Sequence, residues 1–277
     1  MQSAATGLWG KMSFAKSFNL WQALKASVAF VPKAWGQAWL ALVVLFALVV
    51  AGQTAFVAAG GVWGQRAIIL AVLVFQFVVT GALYRIALFG RYARTEGLGF
   101  GGVQFAKPEL RLIGAGILVS LFWLMVFVML CVVLALFLSA AGLAERAGSL
   151  EGLMREFVTG PQPQGAILLM TVVVIMFVLI TLSIKLWLHQ AATIGERQVV
   201  SLNALSLSSG QTLKLFAGYF LLTLPFVLIG AVVPATWGQV SVWFNLALGI
   251  GLFWPLTVGF FASAYQQIVA LRTDAAD

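Results

Sequence analysis

The sequence is poor in charged residues, and this shortage bears first on the kind of solvent the protein needs. Charged residues make up 9% of the 277 positions, whereas a soluble domain carries about 25%. Hydrophobic residues make up 62%, so the chain has too little polar surface to cover a water-soluble fold. We therefore predict that lipid surrounds most of the molecule.

Cysteine, histidine and membrane-embedded acids are also scarce. The single cysteine, Cys131, lies inside an apolar run, so an intramolecular disulfide is excluded and a packing role is expected. One histidine and one cysteine are too few for a zinc site built from protein ligands alone. No Asp or Glu lies inside any apolar run, which argues against a proton relay or a carboxylate pair within the membrane. We therefore expect neither autonomous catalysis nor a cofactor.

Long apolar runs are what the sequence does contain. A helix needs about 20 apolar residues to cross a bilayer, and six runs are long enough. They lie at Ala34–Val57, Ala67–Phe89, Leu112–Ala140, Ala166–Leu188, Leu215–Ala235 and Val242–Tyr265. Pro225, Pro234 and Pro255 lie in or beside the last two runs. Kinks are expected there, because neighbouring helices can bond the freed backbone groups. The predicted fold class is all-α, a single polytopic membrane domain with six transmembrane helices.

The basic residues are distributed unequally about these runs, which predicts an orientation. Of the 16 Lys and Arg residues, Arg66, Arg146 and Arg155 lie on one side, and the rest lie on the side of both termini. Basic residues are enriched in cytoplasmic loops, so both termini are expected in the cytoplasm. The net charge of +8 then indicates anionic lipid headgroups as partners, and nucleic acid is not expected.

Two segments outside the runs are predicted to lie on the membrane surface. Met1–Lys33 has four lysines, no acid and apolar side chains on one helical face, which is typical of an amphipathic interfacial helix. The loop 141–165, on the opposite side, is expected to contain a short surface helix. It is either a solvated connector or a lid over a cavity.

Part of the sequence recurs later in the chain at a constant offset. The aligned pairs are Gln22–Ser27 with Asn203–Ser208, Lys33 with Lys214, and Tyr84 with Tyr265. A middle unit fits less well, with Arg111 in the place of the lysine and Trp187 in the place of the tyrosine. We predict three hairpins, at about 18–95, 96–198 and 199–270, related by an axis along the membrane normal. The alternative is that basic and aromatic residues mark the membrane boundaries in any six-helix protein.

Five side chains are candidates for binding. Lys33, Arg111 and Lys214 each precede the first span of a hairpin, where they can contact anionic lipid headgroups, although ordinary positive-inside anchoring also explains them. Lys185 and His189 are four residues apart near the end of the fourth run and share a helical face. They are interpreted either as an anion site or as a snorkelling lysine beside an interfacial histidine.

The glycine-rich segment 97–102, with the sequence Gly-Leu-Gly-Phe-Gly-Gly, is not a phosphate-binding loop. It lacks the Gly-Lys-Ser/Thr ending, and no strand is expected before it. We therefore predict a flexible connector.

An interfacial segment, Trp21-Gln-Ala-Leu-Lys, precedes a membrane hairpin and returns as Asn203-Ala-Leu-Ser. This alternation resembles that of bacterial six-helix inner-membrane proteins of the YciC-like type. It also resembles the membrane domain attached to some glycerophosphodiester phosphodiesterases. The resemblance covers most of the chain in pattern, but no catalytic phosphodiesterase domain is present. It implies a bacterial inner membrane and a lipid context, and it assigns no residue a role.

Two functional hypotheses follow. The first is an integral membrane protein without catalysis that binds or organises lipids, or serves as an accessory subunit, with a protein partner or a second copy left open. The second is a small-molecule or lipid transporter or channel with its site between the hairpins. That alternative requires a continuous polar cavity lined by groups such as Gln76, Thr80, Lys185 or Asn245.

Overall fold

The secondary structure of the chain is helical throughout the part that we can describe. A computed structural model describes residues 18–58, 62–140, 164–233 and 238–274. The helices are α1 (Leu20–Ala58), α2 (Val62–Phe89), α3 (Lys107–Ala140), α4 (Gln164–Gly195), α5 (Asn203–Leu207), α6 (Thr212–Val232), α7 (Gln239–Leu248) and α8 (Trp254–Asp274). Short 3-10 turns lie at Gly90–Tyr92 and Phe100–Gly102, and a π-helical turn at Gly249–Phe253 joins α7 to α8.

Six stretches of these helices are long and apolar enough to cross a membrane. This confirms the prediction of an all-α, multi-pass membrane protein. The N-terminal segment 1–17, Pro234 and most of the loop 141–165 lie outside the described residues. The structure therefore does not test the surface helix predicted for the loop. Of the interfacial helix predicted for Met1–Lys33, it describes residues 20–33, which are continuous with the first span in α1.

The basic end of the bundle is the end at which α1 begins, α2 ends and α3 begins. Helix α1 starts there at Leu20 and continues without a break through Lys33 into the first apolar run. Its 39 residues would be about 58 Å long if straight, whereas the hydrocarbon core of a bilayer is about 30 Å thick. The helix changes direction at Ala38, whose φ of −120° and ψ of 20° are not helical.

The six long helices pack in an order that repeats three times around the bundle. The second helices of the hairpins, α2, α4 and α8, contact one another. Each first helix packs against two of these three: α1 against α2 and α8, α3 against α2 and α4, and α6 against α4 and α8. The second helices therefore form the centre of the bundle, and the first helices lie around them.

The densely packed core lies toward the basic end. The largest fully buried side chains include Leu42, Leu83, Leu188 and Phe260. In the other half, the consecutive residues 172–174 of α4 are all exposed. Successive residues of a helix point about 100° apart, and Thr171 and Ile175, on the remaining face, are partly buried, so the described protein covers α4 on one side at that level. These apolar surfaces lie in the membrane and contact lipid.

Small residues bring α1 and α8 into close contact. Ala23 and Ser27 on α1 are fully buried, and Ser27 Oγ donates a 2.5 Å hydrogen bond to the carbonyl of Leu256. A Cβ atom added to Gly259 would lie 3.0 Å from the side chain of Phe30. Small side chains let helix backbones approach within a membrane, where packing and hydrogen bonds hold helices together.

A π-helical turn lies beside Pro255, and α1 bonds to it, whereas Pro225 lies inside the continuous helix α6. Proline has no N–H, so the carbonyl of Gly251, four residues before Pro255, loses its helical donor. The chain widens there into the π-helical turn, and Trp35 Nε1 on α1 donates a 2.7 Å hydrogen bond to the Gly251 carbonyl. A neighbouring helix thus satisfies the backbone group that the proline frees.

Candidate functional site

The three cations predicted to precede the first spans lie inside the first helices, α1, α3 and α6, and have different environments. Lys33 is exposed and has no acidic partner among the described residues. Arg111 donates from Nη1 to the carbonyl of Arg197, and Lys214 donates from Nζ to the carbonyl of Phe18 at 3.1 Å. Two of the three therefore hold a neighbouring segment of backbone and keep only part of their donor capacity for a headgroup.

Lys185 and His189 lie on α4, but no hydrogen bond joins them in the described structure. His189 is buried, and its Nδ1 lies 2.5 Å from the carbonyl of Leu186 in the same helix. Its Nε2 has no hydrogen-bond partner among the described residues. Lys185 is partly exposed. The anion site at these two residues stays a prediction.

A buried ion pair joins α2 to the first turn of α3. Arg85 and Glu109 have side chains that are 2% and 0% exposed, and Arg85 Nη2 lies 2.5 Å from Glu109 Oε1. Gly81, one turn before Arg85, provides the space, since a Cβ atom there would lie 3.0 Å from the same carboxylate oxygen. A buried pair is tolerated when its remaining donors and acceptors are also bonded.

The remaining atoms of this pair bind the backbone of the connection between α2 and α3. Arg85 Nη1 donates to the carbonyl of Gly97 at 3.1 Å. Glu109 Oε2 accepts the N–H of Ala106 at 2.9 Å, as the glutamate of a helix capping box does. The ion pair therefore also sets the path of the loop that precedes α3.

Gln104 completes the cluster from within the loop. Its Nε2 donates to Glu109 Oε1 at 3.4 Å, and its Oε1 accepts the N–H of Gly99. We call Arg85, Gln104 and Glu109 the Arg85 cluster. Its members belong to three successive segments of the chain and meet at the point where α2, the loop and α3 converge.

The sequence did not predict this cluster. Charge counting treated Arg85 only as one of the cations on the side of both termini, but Arg85 is paired with Glu109, so this pair adds no net charge to the basic end. Two signals were present: an arginine one turn before the end of an apolar run, and a glutamate three residues after Ala106. Neither signal specifies that the two side chains are partners.

The connections between hairpins carry further polar contacts at the basic end. Glu96, after α2, pairs with Arg197, after α4. Tyr265 donates from its hydroxyl to Glu196 Oε1 at 3.3 Å. Arg272, near the end of α8, donates from Nη2 to the carbonyl of Ser206. These contacts link segments that are far apart in sequence.

The described glutamates at the basic end are bonded to other residues of the chain, whereas many cations there are not. Each of the three glutamates described at this end, Glu96, Glu109 and Glu196, is bonded to another residue of the chain. The exposed cations at this end with neither an acidic partner nor a hydrogen bond to another described residue are Lys25, Lys33, Arg91, Arg94 and Lys107. We call these five residues the unpaired cations.

Of the polar groups named for a transport pathway, Asn245 lines the cavity described below, and Gln76, Thr80 and Lys185 are not among the lining residues of that cavity. Thr80 Oγ1 donates to the carbonyl of Gln76 at 2.7 Å, and Asn245 Nδ2 donates to the carbonyl of Ser241 at 2.9 Å, each within its own helix. A cavity of about 270 Å³ lies between α6 and the α7–α8 junction. It is lined by Thr223, Phe226, Val227, Asn245, Leu248, Gly249 and Phe253.

The fold and these contacts define a class: an all-α, six-helix, multi-pass membrane protein with one end closely packed and basic. Comparison of the chain with known protein families, with curated proteins and with solved structures found no match. The resemblance to bacterial six-helix inner-membrane proteins therefore stays a prediction.

Proposed function

We propose that this chain is a non-enzymatic protein of the bacterial inner membrane that binds and organises anionic lipids at its basic end, with both termini in the cytoplasm. The observation that carries the proposal is the imbalance between the unpaired cations and the internally bonded glutamates. Each Lys or Arg near the surface of an anionic membrane contributes about 1 kcal/mol of attraction. Five such residues give the basic end a preference for anionic headgroups.

Exposed aromatic residues near this end support the same assignment. Trp21 and Tyr92 have exposed fractions of 64% and 49%. Tryptophan and tyrosine are enriched where the hydrocarbon meets the headgroups, because one part of the ring system is apolar and another is polar. Headgroups that contact the unpaired cations would therefore meet aromatic side chains at the same level.

The three hairpins are also proposed to be repeats of one unit. Burial agrees at the aligned positions of the first and third hairpins: Ala23 with Ala204, Ser27 with Ser208, and Tyr84 with Tyr265 are buried in both copies. Around the bundle, each first helix packs between two second helices. This arrangement is the one expected for parallel repeats. On this proposal Lys33, Arg111 and Lys214 face the same leaflet, and Lys33 is the one of the three that makes no bond to a backbone carbonyl in the described structure.

Transport has less support. A pathway needs polar groups that face a shared space, whereas Thr80 and Asn245 bond to backbone carbonyls of their own helices. An accessory subunit of a membrane complex would bind a protein partner, whereas the proposed function is to bind lipid. One experiment distinguishes these two functions.

Native mass spectrometry of the full chain, released from membranes in a mild detergent, tests the proposal. We expect bound phosphatidylglycerol or cardiolipin on the wild type. We expect several-fold less on a Lys25→Gln, Lys33→Gln, Lys107→Gln triple variant, because the neutral side chains no longer attract the headgroup phosphate.

The matched control is Arg66→Gln, which removes one exposed cation from the opposite end of the bundle and should leave lipid retention unchanged. A stoichiometric protein partner, kept by the triple variant, would replace lipid binding with an accessory-subunit role. Protein without lipid or partner would overturn the proposal.

A further inference from the structure

We propose that the connection between α2 and α3 turns back into the membrane as a short re-entrant loop, with Phe100 and Phe105 among the lipid acyl chains. The loop is the segment Gly99–Ala106. This inference does not rest on headgroup binding, because it concerns the hydrocarbon of the leaflet at the basic end.

The contacts of the loop with α1 give a first measure of its depth. A Cβ atom added to Gly101 would lie 2.5 Å from the Cβ of Leu40, and one added to Gly102 would lie 2.8 Å from the Cβ of Ala38. Leu40 is seven residues beyond Lys33, or about 10 Å along the helix. The loop thus contacts α1 within its apolar run.

The contacts with α2 give an independent measure. Glu109, in the first turn of α3, lies against Gly81 of α2. Gly81 is eight residues before the end of α2 at Phe89, or about 12 Å along the helix. Helix α3 therefore begins well inside the level at which α2 ends, and the chain must return into the bundle between them.

The side chains of the loop fit this depth. Phe100 is 82% exposed and Phe105 is 56% exposed, and Val103 and Leu110 are also exposed. Apolar side chains exposed at the level of Leu40 contact acyl chains. Lys107, at the end of the loop, is exposed, and its long side chain can reach the headgroups from this position.

A loop at membrane depth also needs partners for its backbone groups, since lipid supplies none. The Arg85 cluster supplies several of them, at Gly97, Gly99 and Ala106. Two turns within the loop supply others: the N–H of Gly102 donates to the carbonyl of Gly99 at 3.1 Å, and that of Val103 to the carbonyl of Phe100 at 3.2 Å. The buried ion pair thus provides hydrogen-bond partners for non-helical backbone groups where water is excluded.

The glycines of the loop are required by its geometry, which corrects the expectation of a flexible connector. Gly101 and Gly102 have φ angles of 59° and 80°, a region that side chains with a Cβ atom disfavour. Both also lie too close to α1 to carry a Cβ atom. The glycine-rich sequence therefore serves a close, defined contact with the bend of α1 at Ala38.

Fluorescence quenching tests the proposal in the full chain. In a Cys131→Ala background, one cysteine is introduced by Phe100→Cys and, in a second variant, by Arg94→Cys. Each is labelled with an environment-sensitive fluorophore and reconstituted in phosphatidylcholine vesicles. Both positions are exposed, so neither substitution removes packing, and Arg94 is the control in the same connection but outside the loop.

We expect quenching of the label at position 100 by aqueous iodide to be several-fold weaker than at position 94. We expect its quenching by nitroxide-labelled acyl chains to be several-fold stronger. Equal iodide quenching at the two positions would overturn the proposal. The vesicles lack anionic lipid, so loss of headgroup binding would leave this result unchanged and the two proposals fail separately.

A second variant tests the role assigned to the Arg85 cluster. Glu109→Gln in the Phe100→Cys background keeps the shape of the side chain but removes its charge. We expect iodide quenching at position 100 to rise toward the value at position 94, with helical content unchanged by circular dichroism. Unchanged quenching would show that the loop does not depend on the cluster.

Discussion

The two halves of this bundle share an apolar composition but differ in what surrounds their side chains. Toward the basic end, helices pack against helices and polar contacts join distant segments. In the opposite half, the most apolar part of α3 has no buried residue, and the consecutive residues 172–174 of α4 are exposed. Hydropathy is the same whether lipid or protein covers an apolar side chain, so only contacts distinguish the packed half from the lipid-covered half.

The largest expected effect comes from breaking the buried ion pair. Glu109→Ala leaves the Arg85 guanidinium buried without a counter-charge, which typically costs about 3–5 kcal/mol of stability. We expect this loss in the free energy of unfolding, measured by denaturant titration in mixed micelles. The matched control is Glu96→Ala, since the Glu96–Arg197 pair is much more exposed and such pairs are worth about 1 kcal/mol or less.

Equal losses for Glu109→Ala and Glu96→Ala would mean that Arg85 finds water or another partner once Glu109 is gone. The double substitution Arg85→Leu, Glu109→Leu should recover part of the stability, because it removes both charges from the buried site.

Leucine truncation on α4 compares the two halves directly. Leu188 is fully buried and Leu169 is 47% exposed. Leu188→Ala should lower the free energy of unfolding by about 2 kcal/mol, the low end for buried Leu→Ala changes. The low end applies because the denatured helices are themselves covered by lipid or detergent. Leu169→Ala should change it by less than about 0.5 kcal/mol, and comparable losses would argue that α4 is covered in both halves.

Overpacking is expected to give an effect of similar size. Gly259→Leu places a side chain against Phe30, where a Cβ atom would already be 3.0 Å away, and overpacking typically costs about 1–3 kcal/mol. Gly114→Leu on α3 is the control, because a Cβ atom there has no neighbour within 4 Å. We expect a lower thermal unfolding midpoint for Gly259→Leu than for Gly114→Leu. Equal midpoints would mean that α1 and α8 can separate freely.

The smallest effect concerns the hydrogen bond from Trp35 to the π-helical turn beside Pro255. Trp35→Phe removes the hydrogen bond to the Gly251 carbonyl, and we expect a loss of about 1 kcal/mol in the free energy of unfolding. Trp39→Phe is the control, since Trp39 is exposed to a similar degree and makes no hydrogen bond that the described structure shows. A loss no larger than that of Trp39→Phe would indicate that water or lipid replaces the indole.

The comparison also explains which sequence-based expectations held. The number of spans depends on hydropathy alone, and six apolar stretches are present as predicted, although the first begins at Leu20 and not at Ala34. A neighbouring helix was expected to bond the backbone carbonyl that Pro255 leaves without a donor. The sequence did not identify that donor, Trp35, which lies on the first helix and is far away in sequence. The prediction that the segment 97–102 is a flexible connector was wrong. Glycine content indicates only that Cβ atoms are absent, and it does not indicate which neighbouring residues occupy the space.

The candidate binding residues divide in the same way. The position of Lys33 before an apolar run was sufficient to place it at the end of the bundle where it lies. The same reasoning treated Arg111 and Lys214 alike, although each bonds to a backbone carbonyl far away in sequence. Charge counting also missed the pairing of Arg85 with Glu109, because it adds residues by side of the membrane and not by neighbour.

Composition and the lengths of the apolar runs thus dictate an all-α chain of six membrane helices. Lipid offers no hydrogen bonds, so each spanning segment must satisfy its own backbone. Tertiary packing dictates the rest: the half that is closely packed, the partner of each buried charge and the return of the α2–α3 loop into the bundle. These features depend on contacts between side chains that are far apart in sequence, and hydropathy does not predict which side chains make contact.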